Sequence, residues 1–171
     1  MEIHKQKIHG FKCFKKGLET RYGQKMELNK IYTFEGSPIF RSSGYHMCEN
    51  MEDTFRYFDC FEEEVDVCKV IGYPEYQKYE DEYYGFYDMY SCQGIELVEK
   101  LIRKQIIEMA DNMCDFRFIR FINLYPLTHE ELEYFTNKYK KNEYVLSRIL
   151  YEYYEKSSSG EMKLKNKIIK R

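Results

Sequence analysis

Tryptophan is absent from this chain, proline occurs three times in 171 residues, and Ala110 is the single alanine. Alanine is the best helix former. Its scarcity beside 18 Tyr, 12 Phe and 19 Lys therefore reads as codon pressure from an AT-rich genome. No apolar run approaches the ~20 residues that a membrane-spanning helix needs, so no membrane partner is expected. The opening Met1-Glu2-Ile3-His4-Lys5 has no apolar h-region, which predicts an intracellular, non-secreted chain. Charge of one sign is also missing: 27 basic residues stand against 29 acidic ones, a net of −2. That balance argues against a dedicated nucleic-acid binder. None of the six cysteines forms a C-x-x-C pair, and no cluster has zinc spacing, so no metal is expected. The cysteines read as reduced thiols that behave as small apolar residues. Phosphate-binding Walker A loops, G-x-S-x-G elbows, H-E-x-x-H helices and dinucleotide G-x-G-x-x-G loops are all lacking.

The chain is long enough to bury roughly 70% of its unfolded surface without staples. Aromatic residues make up 18% and supply large buried area per side chain. Short strand patterns fill the first part: Ile8 to Phe14, with Gly10 marking a close approach or a bend, then Lys30 to Phe34 and Tyr45 to Cys48. Asn50 stands where it can cap a helix running to about Phe58, with Glu52 and Asp53 in its first turn and Met51, Phe55 and Phe58 on one face. Val65 to Ile71 is the clearest strand, closed by Gly72-Tyr73-Pro74. Tyr76 to Tyr87, kinked at Gly85, and Gly94 to Lys100 follow.

From Leu101 the hydrophobic period changes. Ile102, Ile106, Met109 and Met113 recur at helical spacing, as do Phe116, Ile119 and Ile122. Thr128-His129-Glu130-Glu131 has the form of a capping box that starts a helix to about Tyr139, and a last helix spans roughly Tyr144 to Tyr154. The expected fold is α+β: one domain of 1–155, with a mostly antiparallel sheet over about 1–100 and helices over about 101–155. Ser157-Ser158-Ser159-Gly160 reads as a joint, and 156–171 as a flexible basic tail.

Two stretches suggest chemistry. Gly44-Tyr45-His46-Met47-Cys48 puts His46 and Cys48 on one face of a Gly-entered strand, although one His and one Cys are too few ligands for a metal. Glu80, Asp81 and Glu82 crowd beside Tyr83 and Tyr84, where mutual repulsion would raise one carboxyl pKa and make a general base. The plainer reading of each charge run is a solvated face.

Gly10-Phe11-Lys12-Cys13-Phe14 and Gly44-Tyr45-His46-Met47-Cys48, with the acidic-aromatic segment to Phe58, resemble an uncharacterised domain family of giant DNA viruses of the mimivirus type, with phage and bacterial relatives. The shared pattern is G-F-K-x-F followed by G-[FY]-H-x-C, over about residues 8–100. The resemblance implies a lineage, and a host-cytoplasmic location if the chain is viral, but no activity. The order of pieces is also similar to a small ADP-ribosyltransferase fold, through Ile8-His9-Gly10, through Gly44-Tyr45-His46, and through Asp81-Glu82-Tyr83. That second resemblance implies NAD as cofactor, with His9 and His46 flanking the nicotinamide end and Glu82 holding the ribose and stabilising the transition state. His46 would then stand where that superfamily has a tyrosine, and the spacing to Glu82 is short for it.

The function expected from all this is a binding or host-interaction module with a host or viral protein as partner. Its sites would be an acidic-aromatic surface around 49–90 and the basic tail, with Tyr45, Tyr83 and Tyr84 among the contacts. The alternatives are the NAD-using transferase, and a weak nucleic-acid binder through Lys163, Lys165 and Lys167 in the tail.

Overall fold

A computed structural model describes residues 6–39, 42–80, 88–156 and 162–165. The architecture is α+β, as the sequence predicts, with one five-stranded antiparallel sheet and five α-helices. The chain divides into two compact units. One takes in residues up to Phe58 and Glu63–Ile102; the other takes in Asp59–Glu62 and the described residues from Arg103 onward. The main division, at Ile102/Arg103, falls where the apolar spacing changes from strand-like to helical.

The first unit is built from β1 (Ile8–Lys15), β2 (Ile31–Thr33), β3 (Tyr45–Cys48), β4 (Val65–Glu80) and β5 (Asp88–Leu101). The pairing order is β2-β5-β3-β1-β4, and β4 pairs again with β5, so the sheet closes on itself. Closure satisfies backbone groups that an open edge would leave unpaired. The last step of the ring is thin. β1 meets β3 at Phe11 and Cys48, and it does so because residue 10 is glycine: a Cβ there would run into the Cys48 carbonyl oxygen and Met47 Cε. The interior is filled by Phe14, Met26, Met47, Cys68, Val70, Tyr76, Cys92, Ile95 and Leu97.

Strand β4 differs from the expected pair of strands broken at Gly72-Tyr73-Pro74. It runs through that triplet, with its pairing to β5 shifting register between Tyr73 and Tyr76. A bulge tolerates a proline because it leaves a residue out of the ladder. Gly72 is needed for space, since a Cβ would lie 2.6 Å from Cys92 Sγ and 2.8 Å from Met47 Sδ. The expected helix from Asn50 to Phe58 is shorter: α1 covers Met51–Thr54, and a 3-10 turn covers Phe55–Tyr57. Asn50 makes no side-chain cap, and the Thr54 hydroxyl donates to the Met51 carbonyl at 2.7 Å, a local bond that competes with the helix ladder. Glu52 and Asp53 are fully buried rather than forming a solvated face. Asp66 is buried too, where it accepts the Gly17 and Leu18 amides at 2.8 and 3.1 Å and pairs with Lys100 at 2.6 Å. The first part of the acidic-aromatic stretch 49–90 therefore supplies less exposed charge than expected.

The second unit contains α2 (Arg103–Asp111), α3 (Asp115–Leu124), α4 (His129–Lys138), α5 (Glu143–Tyr153) and a hairpin of β6 (Tyr154–Lys156) with β7 (Met162–Leu164). Its core is aromatic. The Phe118 ring lies 4.7 Å from Phe135 and stacks on Tyr139 at 4.8 Å. The fully buried Tyr153 donates its hydroxyl to the Ile122 and Tyr125 carbonyls, at 3.1 and 3.0 Å. The expected capping box is present. Glu131 does more than cap: its carboxylate also takes Arg103 through two bonds of 2.8 and 2.6 Å, while Arg103 reaches the Pro126 carbonyl at 2.8 Å. Two apolar assignments differ from expectation. Ile102, in the link before α2, and Phe116, in the first turn of α3, are exposed, and Ala110, Phe118 and Phe121 are buried in their stead.

Candidate functional site

The first unit carries a cavity of about 410 Å³ beside β1 and β3. That volume lies in the range of small-molecule sites. Side chains from both faces of β1 and β3 border it. Along β1, Gly10, Lys12 and Phe14 share one face, and Phe14 belongs to the interior cluster. Along β3, Tyr45 and Met47 pack on that same cluster, while Cys48 turns to Met89 and Tyr57. Lys12, Tyr45, His46, Met47, Cys48 and Tyr57 all line the cavity.

Lys12 is out of place by polarity. It is half-buried, and its ammonium donates to the His46 carbonyl at 2.6 Å and lies 5.7 Å from the centre of the Phe14 ring. Among the described residues that carbonyl is its one hydrogen-bond acceptor, whereas an ammonium carries three donors. Burial pushes the Lys12 pKa below its ordinary value; the neighbouring Cys48, Cys13 and Cys92 oppose the shift without cancelling it. His46 is likewise lowered, by burial first and by the Lys12 charge second, against a hydrogen bond to the Ile39 backbone. Its Nε2 is buried with no hydrogen-bond partner among the described residues. The cavity therefore brings together an ammonium with donors to spare and an imidazole held toward its neutral form. Phe11, Met47, Tyr57, Phe58 and Met89 supply apolar wall, and the exposed Arg21 stands at the rim.

No disulfide joins the six cysteines, and five of them are buried. Burial pushes both Cys68 and Cys92 up to about 12, far from the thiolate that reacts. Among the described residues no group of three or more His, Cys, Asp and Glu could hold a metal.

Of the residues singled out by sequence, Tyr45 and His46 come together here. His9 does not: it is exposed on β1 and lies outside the cavity wall. Glu82, Tyr83, Tyr84 and Lys167 fall outside the described residues. Lys163 and Lys165 lie in the second unit. Part of the stretch expected as a loose tail is ordered there, with Lys156 paired to Met162 and Glu155 to Lys163. The Lys165 ammonium is held on the Tyr151 carbonyl at 2.5 Å and over the Tyr151 ring at 5.2 Å. Backbone pairing with the end of α5 explains the order, since the Lys165 amide also donates to the Tyr153 carbonyl at 2.7 Å.

Lys12 was missed by sequence reasoning. In the sequence it is one lysine among 19. The available signal was its place between Phe11 and Cys13 in an apolar strand, two residues from a Phe on the same face.

No family model, no curated protein and no solved structure gives a significant match to this chain. Among the described residues no helix is long and apolar enough to cross a membrane.

Proposed function

We propose that the first unit is a binding module for a small, partly apolar molecule that carries an anionic group, a carboxylate or a phosphate ester. The observation that carries this reading is the under-satisfied Lys12 ammonium in the wall of an aromatic-lined cavity. A buried charge without enough partners costs free energy, and a ligand anion would offset that cost by completing its hydrogen bonds. Arg21 at the rim would steer the anion in, and the buried Nε2 of His46 would accept a ligand O–H or N–H. This gives chemical content to the binding role expected from the sequence, with Tyr45 kept as a contact, and the giant-virus-type lineage remains part of the proposal.

Thermal unfolding with 4-methylbenzoate as probe tests it. At about 100 times its dissociation constant, a ligand adds roughly 2.7 kcal/mol, or on the order of 5–10 °C for a chain of this size. The expected result is a shift that weakens at least several-fold in affinity in Lys12→Met. A shift of the same size in that variant, or none in the wild type, would defeat the reading. NAD and a short RNA serve as the comparison arms. A shift with NAD that disappears in both His9→Ala and His46→Ala would favour the transferase instead. A salt-sensitive shift with RNA would favour the basic C-terminal stretch.

A further inference from the structure

We infer that Lys12 is a nucleophilic amine that captures an aldehyde or ketone carbonyl of the bound molecule as an imine. The inference rests on the cavity being a ligand site and adds covalent chemistry to it. Three observations support it. Lys12 lines an open cavity that lies within small-molecule size, and Tyr45, Met47 and Tyr57 beside it give a carbonyl compound an apolar seat. The Lys12 amine is held in place by one short bond to the His46 carbonyl, and among the described residues it has no carboxylate partner. A tight ion pair favours the ammonium form of a lysine, and Lys12 differs here from Lys100, which pairs with Asp66 at 2.6 Å. Lastly, the imidazole of His46 shares the cavity and keeps a buried, unpartnered Nε2.

Desolvation favours the neutral amine, which is the general route by which buried lysines become imine formers. In the step proposed, the Lys12 Nζ lone pair bonds to the carbonyl carbon, and the C=O π pair moves to oxygen. One proton passes from nitrogen to that oxygen, giving the carbinolamine. The nitrogen pair then closes the C=N bond as the hydroxyl leaves with a second proton as water. Amine plus carbonyl gives imine plus water, with nothing oxidised or reduced. The proton relay is assigned in this proposal to His46, which lines the same cavity. For a ligand that carries both groups the binding mode differs from that of a simple anion: Arg21, not Lys12, would hold the anionic end, at the rim, while the carbonyl end reaches Lys12.

The test uses the full chain, with 4-carboxybenzaldehyde as probe and cyanoborohydride to trap any imine as a stable secondary amine, followed by peptide mapping. The chain offers 19 lysines, so each molecule carries its own controls. The expected result is that Lys12 is modified several times faster than the mean of the other lysines. Each unit of pKa depression multiplies the neutral fraction about tenfold at neutral pH. Excess 4-methylbenzoate, which has no aldehyde, should protect Lys12 alone, and His46→Gln should slow Lys12 while leaving the other lysines unchanged. Even labelling across the chain, with 4-methylbenzoate still binding, would overturn the imine and leave the binding reading intact. Even labelling with no binding of 4-methylbenzoate would overturn both.

Discussion

The two units solve the same problem, too few small residues and many rings, in opposite ways. The helical unit places its rings against one another. Phe118, Phe135 and Tyr139 meet at 4.7 and 4.8 Å, and two of its buried polar groups are closed into sets, Arg103 on Glu131 and Pro126 and Tyr153 on two carbonyls, while Asn123 Oδ1 and Arg148 Nε are buried without a hydrogen-bond partner among the described residues. The β unit brings backbone close to backbone at glycines, fills its interior with sulfur and aliphatic side chains as much as with rings, and leaves polar groups incomplete at Lys12 and His46. What sets the β unit apart is that its half-satisfied cation stands beside a cavity, and on the proposed reading a ligand there would complete it.

The largest effect expected on this contrast is in the β unit. Gly10→Val puts side-chain atoms into the Cys48 carbonyl and Met47, where neither strand can move without opening the ring. It should cost about 4 kcal/mol or more, read as loss of folded protein in denaturant titration. Gly17→Ala, at a positive-φ position with nothing within 4 Å of its Cβ, should be far milder. A mild Gly10→Val would mean that the β1–β3 contact is not needed to close the sheet.

Next in size is Glu131→Ala in the helical unit. It removes the acceptor of a two-bond Arg103 pair together with half of the capping box. The pair is partly exposed, with side-chain exposures of 29% and 17%, so the expected loss is roughly 2 kcal/mol rather than the full value of a buried pair. A loss under about 0.5 kcal/mol would show that this network is ornamental.

The third change reverses sign. Lys12→Met removes an incompletely bonded charge and keeps the bulk, so the ligand-free protein should gain about 1 kcal/mol. The Lys12 pKa is lowered in the fold, so the unfolded chain binds the proton more tightly. Wild-type stability should therefore rise as pH climbs from the lowered folded value toward 10.5, and Lys12→Met should flatten that rise. Destabilisation by Lys12→Met at pH 7 would mean that the Lys12 ammonium is fully satisfied in the ligand-free fold.

The smallest effect concerns His46. Its folded pKa lies below the ordinary 6.5, so below that pH the unfolded chain takes up a proton that the fold resists. Stability present above pH 6.5 is lost as pH falls beneath it, by less than about 1 kcal/mol for one such group. His46→Gln should remove that part of the acid sensitivity, measured as the difference in unfolding midpoint between pH 7 and pH 5.5.

Much of the secondary structure was legible because it depends on near neighbours. The period change at Leu101, the capping box at Thr128 and the close approach at Gly10 are local statements, and each has its counterpart in the fold. The errors came where distant partners decided. Pro74 looked like a strand end until β5 offered a bulge to hold it. Phe116 and Phe118 are equally apolar, and only the packing of the other helices in that unit shows which one is buried. Glu52, Asp53 and Asp66 read as solvated by composition but are buried, because composition says nothing about which backbone amides a carboxylate will meet.

Sequence alone therefore determined the fold class, a β-rich part ahead of a helical one, and a His–Cys face after Gly44, since period, glycine and capping chemistry act over a few residues. Tertiary structure alone decided the closing of the sheet, the thin β1–β3 seam and the cavity it borders, because these join segments more than thirty residues apart. Lys12 is the clearest case. Its character comes from desolvation and from a carbonyl 34 residues away; its apolar strand hints at the first, and no pattern in its own neighbourhood encodes the second.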